Sequence, residues 1–458
     1  MAGGIRQLSA RGVFLGLVAA GFLVMLGANL PGHLSYDSVA QLSEGHFHVR
    51  ETWGPALYAW LLGVFDGIVP GTALYVVASG LLFFGSLASL ADRSHRVSWL
   101  AAPVTALILL TPQVMIYQAI VWKDVIFANC AIAGLVCLAH AAGNWARGWR
   151  RWLYLAGALV LLAAGADVRQ NGLIAALAAC VALGWIASRG SWRRGIVWAV
   201  AGFAAVLITA QSLTVMAMPK NAPKDTAGST GVRIVQNYDL VGAVALDPTY
   251  RLPILAAVDP VNTKTLLDRA KSDYSGRRVD FMDRDATIGA ALNLLPGPET
   301  QAQWFDLIFK HPALYLRVRW EDFRWVFMAP VPDWCLPVYV GVDAPLEKLG
   351  PLKMEHRFVL ADAQLNNYAS WFLDTPAYWH ATYAAISLVL AGLFLWRRRP
   401  QDIALAALQL AGVGFSASFF IISIACDYRY LYFTDLAAMT GLVYAAVAPA
   451  FFRRRAKA

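Results

Sequence analysis

The sequence predicts an all-α polytopic membrane protein with about ten transmembrane helices. Of its 458 residues, 58% are hydrophobic and only 15% are charged. Soluble domains carry about 25% charged residues, so this composition excludes an ordinary soluble protein. The mean hydropathy of +0.51 agrees with that conclusion. The apolar residues also fall into runs of roughly 20, the length at which a helix crosses the hydrocarbon layer.

A long polar region separates seven candidate spans from three others. The apolar runs cover residues 13–30, 71–91, 99–121, 124–142, 152–166, 172–187, 196–216, 377–396, 403–425 and 430–450. The polar region is too long for a simple connector, so we expect a mainly helical outer region there. The predicted units are a transmembrane module with its outer loops at 1–216, the outer region at 217–376, and C-terminal transmembrane helices at 377–458.

Four further segments have helical patterns that do not predict an ordinary span. The segment from Gly54 to Phe65 is apolar but short, and we expect an amphipathic helix on the outer surface. In the outer region, helices are expected at 238–246 and 298–309, and a helix starting at Pro312 should lie at the membrane interface. The first span resembles a signal peptide, but the spans after it favour an uncleaved signal anchor.

Basic residues occupy every second gap between the spans, and this pattern predicts the orientation. Cytoplasmic gaps of membrane proteins are rich in Lys and Arg, so we expect both termini inside and the long polar region outside. The net charge of +9 comes largely from these clusters, so no nucleic-acid partner is expected. The clusters are Arg6 with Arg11, Arg93 with Arg96, Arg147 with Arg150 and Arg151, Arg189 with Arg193 and Arg194, Arg397 to Arg399, and Arg453 to Arg455 with Lys457.

The cysteines do not predict a disulfide framework. Cys130, Cys137 and Cys180 lie inside apolar runs, and Cys426 ends one. This leaves Cys335 alone in the outer region, without an evident partner.

Polar motifs converge on the outer side of the predicted membrane. Charged residues near hydrocarbon are rare and usually face a cavity or a transport path, so their gathering at one face indicates a site. Besides the outer region itself, the motifs are the first loop with Asp37, "VWKDVIF" with Lys123 and Asp124, "ADVRQNG" with Asp167, Arg169 and Asn171, and "CDYRYLYF" with Asp427 and Arg429.

Each motif also has a purely structural interpretation. Asp37 fits the first turn of a helix capped by Ser35, where the helix dipole favours an acid. Lys123 and Asp124 fit a tight turn between spans, with the lysine reaching towards lipid headgroups.

The motif "DVRQNG" has two interpretations. Asp167 and Arg169 fit a local ion pair. However, the apolar runs on either side hold only about 15 residues each, or roughly 22 Å of helix. Unless those helices are longer or kinked, the motif lies below the outer surface, where irregular backbone requires a protein-lined or water-filled cavity.

Glycosyl transfer from a lipid carrier suits acids and bases at the outer face. Nucleotide sugars are not available outside the cytoplasm, so a donor there is a lipid-linked phosphate or diphosphate. Its leaving phosphate needs Arg, Lys or a metal ion, and the acceptor hydroxyl needs a carboxylate to take its proton. Asp37 and Asp124 are the candidate carboxylates, and Lys123, Arg169 and Arg429 are the candidate cations.

The layout and motifs resemble the GT-C superfamily of polytopic glycosyltransferases, and more closely a group of bacterial GT-C-like membrane proteins. The motifs that carry this resemblance run from residue 31 to 430 and are "LPGHLSYDSVAQL", "WGPALYAW", "WKDVIF", "VRQNG", "KHPALYL" and "DYRYLY". The resemblance implies a bacterial cytoplasmic-membrane enzyme with an outward-facing active site. Its partners would be a polyprenyl-phosphate-linked sugar donor, a glycan or lipid acceptor, and membrane lipids.

The resemblance also assigns roles to residues. It matches Asp37 to the acidic residue of the first loop and Asp124 to a second acid, both catalytic. It suggests Lys123, Arg169 and Arg429 as contacts to the donor phosphate. The residues predicted to bind substrate are Tyr36, Gln41, Asn171 and Tyr430.

Two departures from the family pattern leave questions open. Gly54 stands where a histidine is usual before Pro55. The first loop has one aspartate rather than a paired acidic motif, so dependence on Mg²⁺ or Mn²⁺, with Asp37 as a ligand, stays open. The alternative from another functional class is a transporter or flippase of lipid-linked glycans. Such proteins favour charges near the bilayer midplane and inverted repeats, whereas the charges here lie at helix ends.

Overall fold

A computed structural model describes residues 9–52, 54–93, 97–188, 190–220, 222, 227–328 and 335–449. Over these ranges the regular structure is helical, with only isolated β-bridges besides. Among the residues of the predicted basic clusters, Arg6, Arg96, Arg189, Arg453 to Arg455 and Lys457 lie outside the described ranges.

Within these ranges, nine helices are long and apolar enough to cross a membrane, which confirms the all-α polytopic fold. They begin and end within a few residues of the predicted runs in most cases. The nine are Ala10–Asn29, Ala73–Asp92, Lys123–Gly143, Gly148–Val168, Gln170–Ser188, Trp192–Ala217, His380–Arg397, Pro400–Ile422 and Tyr428–Val447.

The predicted span at 99–121 is a bent pair of helical segments. Ala101–Leu109 and Pro112–Ala119 meet at 69°. The proline has no N–H for the helical ladder, and it disfavours helical backbone at the residue before it. Thr111 is accordingly extended, and a new helical turn begins at Pro112. Treating this run as one straight helix was wrong.

The prediction of two short helices around the "DVRQNG" motif was wrong for the first helix and right for the second. Gly148–Val168 has 21 residues, or about 31 Å of helix. The α-helix after the motif, Leu173–Ser188, has 16 residues, and the 3-10 turn Gln170–Gly172 extends that span to 19. The apolar-run count left out Trp149 and Arg150, which are helical although polar or interfacial. Helix length therefore gives no reason to place this motif below the outer surface.

The helix Lys123–Gly143, here called the central span, is the core of the membrane part. Its apolar window is 94% buried, whereas that of Trp192–Ala217 is only 6% buried. The central span packs against Gly148–Val168, Pro400–Ile422 and the C-terminal helix. The end of the central span that carries Lys123 and Asp124 is consequently held by well-packed helices.

The outer region has a hydrophobic core of its own, built from residues such as Leu240, Leu255, Leu266 and Leu307. The predicted helices at 238–246 and 298–309 are present within longer ones, and the helix predicted to start at Pro312 does so. The helices of this region are Ala227–Leu246, Pro253–Val258, Pro260–Asp273, Ile288–Leu294, Gly297–Lys310, Pro312–Phe327, Leu346–Leu349 and Leu360–Ser370.

A buried ion cluster links the helix Pro312–Phe327 to the membrane part. Arg319 is fully buried between Asp239 and Asp322. Its guanidinium also donates to the carbonyl oxygens of Ile421 and Ser423 at 2.9 and 3.1 Å. A helix that lies at the membrane interface would turn its basic residues towards lipid headgroups. Arg319, at least, is buried and does not face them.

Cys335 and Cys426 form a disulfide across 91 residues of sequence. The expectation that Cys335 has no partner was therefore wrong. Sequence spacing carries no signal for this pair, because only the folding of the outer region onto the end of Pro400–Ile422 brings the two thiols together. Cys130, Cys137 and Cys180 are free.

The apolar segment after Gly54 forms the helix Ala56–Ile68, which packs on the first outer helix, Tyr36–Phe47. The two backbones cross closely: a Cβ atom at Gly45 would lie 2.0 Å from the carbonyl oxygen of Ala59. Only glycine permits this approach. The position of the helix Ala56–Ile68 on the outer surface of the membrane stays a prediction.

Candidate active site

The first loop is held between the membrane part and the outer region by backbone hydrogen bonds. The backbone carbonyl of His33 accepts a hydrogen bond from the N–H of Val121 at 2.9 Å. Leu34 donates to the carbonyl of Gly341 at 2.9 Å, and its own carbonyl accepts from the N–H of Asp343 at 3.0 Å. These contacts determine where the first outer helix begins, and hence where Asp37 lies.

The His33 side chain is a buried structural element of this loop. Its Nδ1 accepts from the N–H of Gly341 at 3.0 Å, and its Nε2 lies 2.9 Å from Asn29 Oδ1. Burial and the nearby charge of Arg357 together lower the pKa of His33 to about 4, although the charge of Asp362 opposes the shift. The imidazole is therefore neutral at physiological pH, which excludes a role as a cationic phosphate ligand.

Asp37 is a half-exposed carboxylate in the first turn of the first outer helix. Its side chain is 54% exposed, and its Oδ2 lies 2.9 Å from Arg429 Nη2. Burial acts to raise the pKa of Asp37, but the charge and hydrogen bond of Arg429, together with the charge of Lys123, outweigh it. The pKa therefore lies below its usual value, and the carboxylate is ionised at neutral pH.

The structural interpretation of Asp37 also holds. Ser35 precedes the helix, and its N–H and Oγ each lie 3.3 Å from Ser38 Oγ, as in a capping arrangement. Asp37 thus combines a favourable helix-dipole position with an accessible carboxylate, and only a functional assay separates the two roles.

Arg429 is held by two carboxylates and an aromatic ring. Besides Asp37, it contacts Asp427, whose Oδ2 lies 3.3 Å from Nη2. The guanidinium lies 4.9 Å from the centroid of Trp122, whose Nε1 donates to Ser35 Oγ at 2.8 Å. The arginine is 17% exposed, so it remains accessible to a ligand while its orientation is fixed.

Arg169 pairs with Asp124, so these two predicted site residues do meet. Asp124 is only 3% exposed, whereas Arg169 is 12% exposed. The arginine also donates from Nε to Asn171 Oδ1 at 3.2 Å. Asp167 instead accepts a hydrogen bond from the Thr214 hydroxyl at 2.6 Å. The buried position of Asp124 suits a group that orients Arg169 better than one that reaches an acceptor.

Tyr430 separates the two guanidinium groups. Its ring centroid lies 5.6 Å from Arg169 Cζ and 5.8 Å from Arg429 Cζ, and it stacks on Phe419 at 5.5 Å. Lys123, the first residue of the central span, is close enough to lower the pKa of Asp37 through its charge. The structure thus gathers all three predicted cations around Tyr430 and Asp37.

The two other predicted substrate contacts lie on the first outer helix. Tyr36 is 52% exposed, while Gln41 is buried. A Cβ atom at Gly54 would lie 2.1 Å from Gln41 Nε2. A side chain at position 54 would therefore require the Gln41 amide to move.

The sequence interpretation missed Arg278 and Asp280 of the outer region. Arg278 pairs with Asp427 and, from Nη2, with Asp280 Oδ2 at 2.9 Å. The backbones also join: the Cys426 N–H donates to the carbonyl of Arg277 at 2.9 Å. Burial, partly offset by Arg278, raises the pKa of Asp280 to about 6. No short motif indicates this contact, because its partners are 149 residues apart.

The surroundings of Asp37 do not fit a divalent metal. In the part of the chain that the structure describes, no three His, Cys, Asp or Glu side chains come together as a metal site requires. The polar partner of Asp37 is a guanidinium, whose positive charge repels a cation, whereas Mg²⁺ requires several oxygen ligands. We therefore assign no step to a metal.

Comparison with family models and with curated proteins finds no match. Among solved structures, the chain is similar to the archaeal oligosaccharyltransferase AglB from Archaeoglobus fulgidus in complex with an inhibitory peptide and a dolichol-phosphate. That match has a TM-score of 0.41 and 12% identity, and covers 94% of this chain and 50% of AglB. The chain thus spans about half the length of AglB.

It is also similar to ArnT from Cupriavidus metallidurans, in the apo state and bound to undecaprenyl phosphate. The TM-scores are 0.37 and 0.38, with identities of 13% and 15%. These matches cover 94% of this chain and 76% and 77% of the ArnT chains.

Proposed function

We propose that this protein is a glycosyltransferase that moves a sugar from a polyprenyl-phosphate-linked donor to an envelope glycan or lipid acceptor at the outer face of a bacterial cytoplasmic membrane. The observation that carries the proposal is the accessible carboxylate of Asp37, 2.9 Å from Arg429 and beside Lys123, with Arg169 beyond Tyr430. A carboxylate that can accept a proton thus lies next to two cations, with a third on Tyr430, and all three cations can bind a phosphate.

The proposed reaction is a displacement at the anomeric carbon of the donor sugar. The acceptor hydroxyl oxygen forms the new bond to that carbon, and its proton passes to the Asp37 carboxylate. The bond from the carbon to the phosphate oxygen breaks, and the electron pair leaves with the lipid phosphate. Arg429, Arg169 and Lys123 offset the negative charge on the departing group.

The ion pair between Asp37 and Arg429 suggests how donor binding raises the basicity of Asp37. A phosphate that binds Arg429 competes with Asp37 for the same guanidinium, because Nη2 already serves two carboxylates. Losing this partner raises the basicity of Asp37 towards the acceptor. Asp124 then has a positioning role, since it is buried against Arg169 rather than open to the acceptor.

Two observations support the outward orientation. The disulfide between Cys335 and Cys426 joins the outer region to the segment that carries Arg429, and disulfides persist in oxidising compartments outside the cytoplasm. The basic gaps on the opposite side follow the usual cytoplasmic pattern. The proposed cations also lie at helix ends, which favours a transferase over a transporter with charges at the midplane.

The direct test is transfer by purified protein in nanodiscs from a panel of polyprenyl-phosphate sugars, with Mg²⁺, Mn²⁺ or EDTA in parallel. Mass spectrometry of envelope glycans from cells with and without the gene identifies the acceptor class. Loss of one sugar indicates a single-sugar transferase, and a change in chain length indicates a polymerase or ligase. Unaltered glycans together with inactive purified protein would contradict the proposal.

A further inference from the structure

A depression of about 370 Å³ lies in the outer region beside the first loop. Its volume falls within the range of about 300 to 1,000 Å³ that is typical of small-molecule sites. The sequence motifs do not point to it, and none of its residues has a role in the mechanism above. Its lining combines aromatic, acidic, imidazole and aliphatic groups: Tyr339, Val340, Val342, Asp343, His356 and Phe358, with Arg357 beneath.

The depression adjoins the candidate active site through direct contacts. Val342 of its lining forms an isolated β-bridge with Leu34, three residues before Asp37. The N–H of Asp343 donates to the Leu34 carbonyl at 3.0 Å. On the other side, Tyr339 packs against Trp122 with ring centroids 5.9 Å apart. Trp122 in turn supports Arg429. The depression therefore adjoins the loop that carries Asp37 and the ring that supports Arg429.

The two backbone segments that line the depression approach each other closely at Gly341. Gly341 has a φ of +88°, and a Cβ atom there would lie 2.2 Å from the carbonyl oxygen of Arg357. Any larger residue would push the two walls apart. Arg357 itself is engaged elsewhere, since its Nη2 donates to the Gly32 carbonyl at 2.7 Å.

The lining chemistry suits a neutral sugar better than a phosphate. Phe358 is 65% exposed, so its ring is available for stacking against the apolar face of a pyranose. The Asp343 carboxylate lies 3.3 Å from His356 Nδ1, and both side chains are at least half exposed. Carboxylate and imidazole groups hydrogen-bond sugar hydroxyls. The carboxylate also disfavours an anion, and the one guanidinium in the lining is bonded to the first loop.

We propose that this depression, lined by Tyr339, Asp343, His356 and Phe358, binds a saccharide unit. That this saccharide is the acceptor rests on the proposed function, whereas saccharide binding by the depression does not. The inference narrows the acceptor to a glycan with a sugar unit that packs on Phe358.

Saturation-transfer-difference NMR on the detergent-solubilised full chain tests the proposal with the methyl glycosides of glucose, galactose, mannose and N-acetylglucosamine as probes. At least one glycoside should receive saturation from the protein. Phe358→Ala should weaken its binding about three- to tenfold through lost aromatic contact, and Asp343→Asn about tenfold through a lost charged hydrogen bond.

Leu360→Ala is the matched control, because Leu360 is 75% exposed and lies outside the depression. Binding should be unchanged in this variant. Absence of saturation for all four glycosides would overturn the proposal, as would equal signals in wild type and Phe358→Ala. Because the readout is binding, inactive protein that still binds a glycoside through Phe358 would contradict the proposed transfer and leave the saccharide site standing.

Discussion

At Asp37, a local sequence preference and a tertiary contact act on the same carboxylate. The capping serines and the helix dipole would place an acid there in any helix. The contact with Arg429 is what makes this acid chemically distinctive, because it couples the carboxylate to the cations around Tyr430.

Replacing Asp37 with asparagine separates these two roles. Asp37→Asn keeps the size of the side chain but removes its charge and basicity. Transfer should fall about 10²- to 10⁴-fold, the usual contribution of general-base catalysis, while donor binding is retained. If Asp37 serves only the helix dipole, the variant should lose roughly 0.3 to 1 kcal/mol of stability and keep its turnover. Asp268→Asn, at an exposed outer-region site, is the matched control.

Arg169 offers a second test at the residue scale. In Arg169→Ala, donor binding and turnover should both fall, with about 2 to 4 kcal/mol of transition-state stabilisation lost. Arg169→Lys should recover only part of this, because lysine cannot form a bidentate contact. Normal activity of Arg169→Ala at equal membrane abundance would rule out the assigned role.

Asp124→Asn distinguishes positioning from catalysis. Since Asp124 is buried against Arg169, the variant should mainly raise the KM for donor, and it should add little to the defect of Arg169→Ala. A large loss of kcat that is independent of Arg169 would instead support a direct catalytic role for Asp124.

Among the elements, the loop between Pro400–Ile422 and the C-terminal helix depends most on its surroundings. It carries Arg429, and it is tied to the outer region by the disulfide and by the contact of Asp427 with Arg278. The site can therefore be disturbed from a part of the chain that touches no substrate.

Breaking the disulfide should weaken both stability and donor binding. Cys335→Ser, Cys426→Ser and the double variant should show the same loss, because each removes the same bond. The loop-entropy model gives roughly 4.6 kcal/mol for a closed loop of this length. The thermal midpoint and the Kd for donor measure the two effects. Additive losses in the double variant would show that the cysteines act separately, and Cys137→Ser, a free thiol, is the control.

The buried cluster around Arg319 should make stability depend on pH. Burial raises the pKa of Asp239 to about 6 and that of Asp322 to about 7, although Arg319 opposes both shifts. The folded state thus holds more protons than the unfolded state between these values and the usual pKa of 3.8. Its stability from this cluster is greatest at low pH and is lost as pH rises through the folded pKa values.

Thermal unfolding of wild type and Asp239→Asn at pH 5 and pH 8 measures this effect. The difference in thermal stability between pH 5 and pH 8 should be smaller in the variant. Only one carboxylate then faces Arg319, and a single carboxylate no longer needs a proton. The exposed substitution Asp268→Asn should leave the wild-type difference intact. An identical pH response in wild type and Asp239→Asn would contradict the assigned pKa shifts.

On the scale of the whole molecule, the site model requires that all the polar motifs lie on one side of the membrane. Reporter fusions after Arg50, Gln170 and Asp273 should report the outer side, and fusions after Gly148 and Arg399 the cytoplasm, because basic residues fill alternate gaps. An outer signal at Gly148 would separate the motifs and overturn the model. Fusions also test the orientation independently of any enzymatic assay.

The helical membrane fold, the positions of most spans and the starts of helices such as Pro312–Phe327 could be predicted from the sequence alone. These features depend on local properties, namely the length of apolar runs and the chemistry of proline and capping residues. The sequence also named the motifs that the structure gathers. Helix packing, by contrast, determines the long-range pairs: the ion pairs of Asp124 with Arg169 and of Asp37 with Arg429, and the disulfide of Cys335 with Cys426. Those partners are tens to hundreds of residues apart, and helix packing rather than sequence spacing brings them together.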